Sequence, residues 1–159
     1  MAKMMNHLIE RLLAVLGLVL TSPLFLIFPV LIRLDSDGPG YFLQARVGKD
    51  GRIFMMYKFR TMIDGAVTKG TGMDTIPNDP RITRVGRVLR RRRLDRLPQL
   101  INIAKGDMSF WGPRPLLPRT GSWKRGNIPD CRPGMFVRQT ATGQAEPVRQ
   151  EPGILEKGA

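Results

Sequence analysis

Leu12 to Ile32 is a run of 21 residues without a charge, and it limits the possible folds more than any other feature. As a continuous helix it would rise about 31 Å, enough to cross the hydrocarbon of a bilayer. The run is longer than the apolar part of a secretory signal, and no small-residue cleavage site follows Ile32, so it reads as a membrane segment. Pro23 cannot donate to the carbonyl of Val19 and its ring presses on that turn, which predicts a bend at Thr21-Ser22-Pro23; Pro29 disturbs a second turn. The hydroxyls of Thr21 and Ser22 can satisfy the freed carbonyls in an apolar medium. Two arrangements follow: a helix-break-helix that enters and leaves by one leaflet, broken at Ser22 and Pro23, or a kinked helix that crosses in a single pass. Lys3 and Arg11 precede the run while Arg33 and a strongly basic remainder follow it, which predicts a cytoplasmic location for both flanks.

The second constraint is charge. Eight of the sixteen residues from Arg81 to Arg96 are arginine and one is Asp95, so this stretch carries +7 of the net +13. Guanidinium forks grip phosphate oxygens in a way that a lysine point charge does not. At about 5 Å and an effective dielectric near 20, each cation lowers the energy of a neighbouring anion by roughly 3 kcal/mol. Asp95 is therefore expected to stay ionised and available as a nucleophile, or, in the plainer alternative, to neutralise a solvated arginine run.

A pI near 11.2 points to a polyanionic partner: nucleic acid, an anionic membrane surface or a phosphorylated small molecule. Nucleic acid is disfavoured, because the aromatic residues form no stacking platform and no helix-turn-helix or zinc pattern is present. Cys131 is the single cysteine and His7 the single histidine, which excludes an intrachain disulfide and a Cys/His zinc site.

The polar, glycine-rich Asp35 to Gly40 marks a boundary between a membrane-inserted helix, residues 1–34, and a cytoplasmic domain, residues 35–159. Tyr41–Val47 and Arg52–Thr61, separated by Gly48-Lys49-Asp50-Gly51, predict a β-hairpin. Gly65 to Pro80 reads as a loop, with Lys69-Gly70-Thr71-Gly72 as a flexible connector. Thr83 is placed to cap a helix carrying Val85, Val88 and Leu89 on one face and Arg84, Arg87 and Arg91 on another, a pattern suited to a headgroup interface. Pro98 to Lys105 predicts a second helix, ended by Gly106. The proline-rich chain beyond Trp111 shows no sustained period and reads as extended loop with a frayed end. The expected class is α+β: a small membrane-associated domain with an N-terminal re-entrant segment, a β-hairpin and amphipathic interfacial helices.

Many of these runs together resemble the bacterial sugar transferases, the monotopic phosphoglycosyl transferases. The resemblance is carried by Gly38-Pro39, Gln44-Ala45-Arg46-Val47-Gly48, Tyr57-Lys58-Phe59-Arg60-Thr61-Met62, Asn78-Asp79-Pro80-Arg81, Leu94-Asp95, Leu97-Pro98-Gln99-Leu100, Gly106-Asp107-Met108-Ser109, Gly112-Pro113-Arg114-Pro115 and Arg132-Pro133-Gly134. It implies transfer of a sugar phosphate from a UDP-sugar to polyprenyl (undecaprenyl) phosphate with release of UMP, at the cytoplasmic face of the bacterial inner membrane. It also implies the re-entrant form of the helix, an aspartyl sugar-phosphate intermediate on Asp95, and assistance by Mg2+. Lys58, Arg60, Arg114 and Arg132 match basic positions of the family motifs and are candidates for holding diphosphate. Asp107 is the candidate for a metal oxygen, and the arginines 90 to 93 are assigned to lipid headgroups.

Arg96 stands where the resemblance implies a glutamate beside the nucleophile, a fixed cation in place of a metal ligand. Near the N-terminus Asn6-His7 and Glu10 replace a Lys-Arg pair and an aspartate, and Met135 to Gln139 replaces Ile-Thr-Gly-Trp. The C-terminal part, Thr140 to Ala159, is read as shortened and irregular. Two outcomes are consistent with these changes: an enzyme in which Arg96 takes over part of the cation's charge, or a degenerate copy that acts as a membrane-bound binding or scaffold protein.

Overall fold

The computed structural model describes residues 2–68, 76, 79–118 and 131–137. The readings of 69–72 as a connector, of 138–139 as a departure and of 140–159 as a shortened end lie outside the described residues.

The apolar run forms one helix, α1, Ala2–Asp35, with Pro23 and Pro29 inside it. No break in helical backbone occurs at Ser22-Pro23, contrary to the expected helix-break-helix. The hydroxyls explain how the backbone tolerates proline there: Ser22 Oγ donates to the Val19 carbonyl at 2.8 Å, the acceptor that Pro23 cannot serve, and Thr21 Oγ1 donates to the Gly17 carbonyl at 2.6 Å. The helix is long and apolar enough to cross a membrane.

The hairpin follows as expected. β1, Tyr41–Val47, pairs antiparallel with β2, Ile53–Phe59, in the register Tyr41↔Phe59 to Val47↔Ile53. Asp50 and Gly51 both take positive φ in the connecting turn. α2, Arg84–Arg91, begins at Thr83, whose side chain accepts from Gly86 N, and the Asp35 carboxylate accepts from Val85 N at 2.8 Å. Two side chains thus satisfy N–H groups that the first turn leaves without helical partners, and the second ties α2 to the end of α1. α3, Gln99–Lys105, ends at Gly106 in the left-handed region, φ 88°, where glycine carries no Cβ penalty.

Past Ser109 the proline-rich chain departs from the expected loop. β3, Ser109–Gly112, pairs in parallel with β4, Gly134–Val137, with Ser109↔Gly134 and Gly112↔Val137 in register. Extended backbone between prolines is compatible with strand, and the partner lies too far along the sequence for a local period to reveal it.

Two apolar clusters join α1 to the rest. Ala14 packs with Met56, Leu100, Ile103, Met108 and Met135, while Ile32 packs with Phe59 and Leu89. Phe59 receives Phe25 and Phe28 edge-on, at centroid separations of 5.6 and 5.4 Å, a favoured aromatic geometry. Fully burying side chains of this size contributes roughly 1.5–3 kcal/mol each. Asn102, fully buried, bridges α3 to the free edge of β2: its Oδ1 accepts from Tyr57 N at 3.1 Å and its Nδ2 donates to the Met55 carbonyl at 2.8 Å. The opposite face of α1 keeps its leucines outward, with Leu20 at 73% and Leu26 at 75% exposure. On α2, Leu89 is buried but Val88 is 59% exposed, so the expected apolar face is narrower than its spacing implied.

Candidate active site

A cleft of about 460 Å³ opens between the hairpin, the start of α2's C-terminal turn and the short 3-10 turn Leu94–Arg96. Strand alternation builds one wall. Phe42 and Lys58 are direct cross-strand partners, so Gln44, Arg46 and Lys58 share a face of the hairpin. The other wall is Asp95 and Arg96, aimed by Arg93, which takes a left-handed φ of 56° just before the turn. A non-glycine residue in that region costs roughly 1–2 kcal/mol, and such costs concentrate at functional sites.

Of the residues singled out from sequence, Lys58, Arg60, Asp95 and Arg114 all line this cleft. Arg132 and Asp107 do not. Asp107 sits in the turn after α3, its backbone N–H donating to the Asn102 carbonyl at 2.9 Å. Arg60 is largely spent on structure, since its Nη1 donates to the Asp37 carbonyl and its Nη2 to the Ser36 carbonyl and hydroxyl, holding the loop between α1 and β1. Its Nε is buried without a hydrogen-bond partner among the described residues. Asp79 and Arg81, from the Asn78-Asp79-Pro80-Arg81 motif, form a buried bidentate pair at 2.9 and 2.7 Å with Arg81 also reaching the Ala66 carbonyl, so this part of the motif is architectural.

The arginines divide differently from the expectation that 90 to 93 face lipid. Arg90 and Arg93 line the cleft, and Arg90 Nε donates to Thr61 Oγ1 at 2.7 Å. Arg91 and Arg92 are exposed and outside the cleft, and Arg93, exposed as well, stands at its rim. Arg46, part of a family motif but without a site role in the sequence analysis, also lines the cleft, held by Gln44 Oε1 at 2.7 Å and the Pro115 carbonyl at 3.0 Å. Alternation within the hairpin was the signal for it. Arg96 Nη1 is fixed by the Met135 carbonyl of β4 at 3.2 Å.

Charge is therefore concentrated around one carboxylate. Asp95 is half-buried and, among the described residues, no cation closes to salt-bridge distance on it. Its pKa is nonetheless raised, because burial outweighs the opposing pull of Arg96, Lys58 and Arg90. Counting charges in the sequence captured the cations and missed the desolvation. Lys58 is pushed down to about 8 by burial first and then by Arg46, with Asp95 acting in the other direction. The site holds an under-solvated carboxylate next to unsatisfied positive charge, suited to accepting a doubly charged phosphate group and attacking it.

The donor set does not match a hard divalent cation. Among the described residues no group of three or more His, Cys, Asp or Glu side chains could hold a metal. Asp95 and Asp64 are the carboxylates lining the cleft, against seven Lys and Arg side chains. Magnesium fills six positions with oxygen, commonly several waters and substrate phosphates beside one or two carboxylates, so what weighs against it here is the repulsion from the guanidinium groups that outnumber the carboxylates.

Comparison with known proteins places these features in a lineage. The profile of the bacterial sugar transferase family matches residues 1–153. A UDP-N-acetylgalactosamine-undecaprenyl-phosphate N-acetylgalactosaminephosphotransferase of Aeromonas hydrophila is 51% identical over 106 residues, 67% of this chain and 25% of its own length. A putative undecaprenyl-phosphate N-acetylgalactosaminyl 1-phosphate transferase of Bacillus subtilis is 46% identical over 105 residues, 66% of this chain and 58% of its own. The UDP-glucose:undecaprenyl-phosphate glucose-1-phosphate transferase of Escherichia coli is 44% identical over 118 residues, 69% of this chain and 24% of its own. The chain thus spans from about a quarter to somewhat over half the length of these relatives. With Lys58, Arg60, Asp95 and Arg114 of the motifs on one cleft and the profile covering nearly the whole chain, the protein belongs to the bacterial sugar transferase family.

Proposed function

We propose that the chain transfers a sugar phosphate from a UDP-sugar to undecaprenyl phosphate, at the cytoplasmic face of the bacterial inner membrane, through a covalent intermediate on Asp95. The observation that carries this reading is the cleft itself, where a raised, half-buried carboxylate lies among Lys58, Arg90, Arg96 and Arg114. In the first step an Asp95 carboxylate oxygen attacks the sugar-bearing phosphorus. The bond from that phosphorus to the bridging oxygen breaks, and UMP leaves with the electron pair. In the second step a phosphate oxygen of the lipid attacks the same phosphorus, the bond to Asp95 breaks, and the carboxylate is regenerated as the lipid-linked sugar diphosphate departs. A carboxylate nucleophile divides one displacement into two, and fixed cations offset the charge on the equatorial oxygens in each.

A seat in one leaflet is supported by how α1 is tied. At its N-terminal end Glu10 accepts from Ser109 Oγ at 2.6 and 2.7 Å, and at its C-terminal end Asp35 accepts from Val85 N at 2.8 Å. Between them Tyr41 donates to the Phe25 carbonyl at 2.7 Å. A helix spanning from leaflet to leaflet would carry these two ends roughly 37 Å apart, on opposite sides of the bilayer. Both ends rest on one small domain, which favours a seat of the unbroken helix in one leaflet over the single pass, with the exposed leucines in lipid and the cleft at its surface. Such a seat brings a lipid phosphate to Asp95 without leaving the interface.

The second reading, a family member that binds without turnover, is favoured by Arg96 at the glutamate position. Incubating the full chain in nanodiscs with undecaprenyl phosphate and a panel of UDP-sugars separates the two. UMP release that disappears in Asp95→Asn supports the transferase; UDP-sugar binding without UMP supports the scaffold and overturns it.

A further inference from the structure

The same cleft carries a second consequence, which rests on the transferase reading of the site. We infer that it binds a diphosphate without any divalent cation, the guanidinium of Arg96 and its neighbours supplying the countercharge. The cleft's cations outnumber its carboxylates, and one of the two carboxylates, Asp95, is committed to the phosphorus. The other, Asp64, is exposed. Two of the cleft's neutral oxygens already serve arginine: Gln44 Oε1 is engaged by Arg46 Nε and Nη2 at 3.2 and 2.7 Å, and Thr61 Oγ1 by Arg90 Nε at 2.7 Å. A magnesium ion placed beside Asp95 could keep its waters, but it would meet several guanidinium groups repelling it.

The same arrangement meets a diphosphate's own requirement. Two adjacent phosphate anions need charge and directed donors within a few ångströms, and arginine supplies both from one planar group. Arg96 is built for this. It follows Asp95 directly on the 3-10 turn, and Nη1 is anchored to the Met135 carbonyl at 3.2 Å, which orients the guanidinium and leaves its other donors without a partner among the described residues. Lys58, Arg90 and Arg114 extend the positive surface along the cleft. What a carboxylate at position 96 would provide through a bound metal, arginine provides directly.

Titration calorimetry of the full chain in nanodiscs, with UDP as the probe, tests this. With EDTA present the Kd should stay within about threefold of its value with magnesium, and a weakening of tenfold or more would overturn the inference. In Arg96→Glu, removal of the cation should weaken UDP binding in EDTA by at least about tenfold, with magnesium restoring it. Arg96→Lys guards against a folding artefact, since it should keep the metal independence while weakening affinity through loss of the fork. An Arg96→Glu protein that binds UDP as the wild type does, in both media, overturns the role of Arg96. Binding that needs magnesium sinks this inference and leaves the transferase reading standing, whereas no binding in either medium sinks both.

Discussion

Lys58 gives the sharpest handle on the site, because its pKa of about 8 lies inside the workable pH range. Burial is the main cause and Arg46 the next, so the free cleft holds this proton loosely. A bound diphosphate adds negative charge beside the ammonium and raises its pKa again, which makes UDP binding draw on the protonated form. Between about pH 7 and about pH 9 the protonated fraction of the free protein falls roughly tenfold, and the Kd for UDP should rise by the same factor, about 1.4 kcal/mol. Lys58→Arg removes the titration without removing the charge, so its Kd should be flat over that range. The sign for stability is opposite. With the folded pKa depressed below the ordinary lysine value, the unfolded chain binds more protons between about 8 and about 10.5, so stability of the free protein rises with pH across that window. Calorimetric titrations of both proteins at several pH values provide the assay. A wild-type Kd unchanged across the range, or an equal decline in Lys58→Arg, would refute the reasoning.

Asn102→Ala strips the free edge of β2 of its partners, leaving Tyr57 N–H and the Met55 carbonyl unpaired, and should cost about 2–4 kcal/mol in urea unfolding. Gly86→Ala places a Cβ against the Thr61 carbonyl, within a helix turn that cannot retreat from β2's end, and should lower stability by about 1–3 kcal/mol in the same assay. The exposed leucines of α1 predict that the chain stays with the membrane fraction in about 1 M salt and leaves it only in detergent, because screening removes the arginine contribution and not the apolar one.

What the sequence made legible was local. Thr83 as a cap, Gly106 as a stop and the glycine turn of the hairpin each rest on a few neighbouring residues, and each is where the spacing put it. Asp95 beside the arginines was legible for the same reason. The parallel pairing of β3 with β4 was not, because its register joins Ser109 to Gly134 through a proline-rich stretch without a period. Nor could charge counting tell Arg90 from Arg91 and Arg92: the helix turns Arg90 towards Thr61 and the cleft while its neighbours stay in solvent, a property of the packed helix and not of adjacent residues. The pKa of Asp95 moved against its cations for a related reason, since burial is a property of the assembled walls and not of adjacent residues. At Pro23 the sequence predicted a break with hydroxyls covering the freed carbonyls; Ser22 Oγ does cover the Val19 carbonyl, and the backbone stays helical through the proline.

The central claim is that phosphorus becomes bonded to the Asp95 carboxylate. Intact-mass spectrometry of the full chain in nanodiscs, after exposure to the accepted UDP-sugar and before lipid phosphate is added, tests it most directly. The account predicts a mass increase equal to one sugar phosphate, located on Asp95 by peptide mapping, discharged by undecaprenyl phosphate and absent in Asp95→Asn. Steady release of UMP in the presence of lipid phosphate, with no adduct on the protein at any time and undiminished in Asp95→Asn, would contradict it.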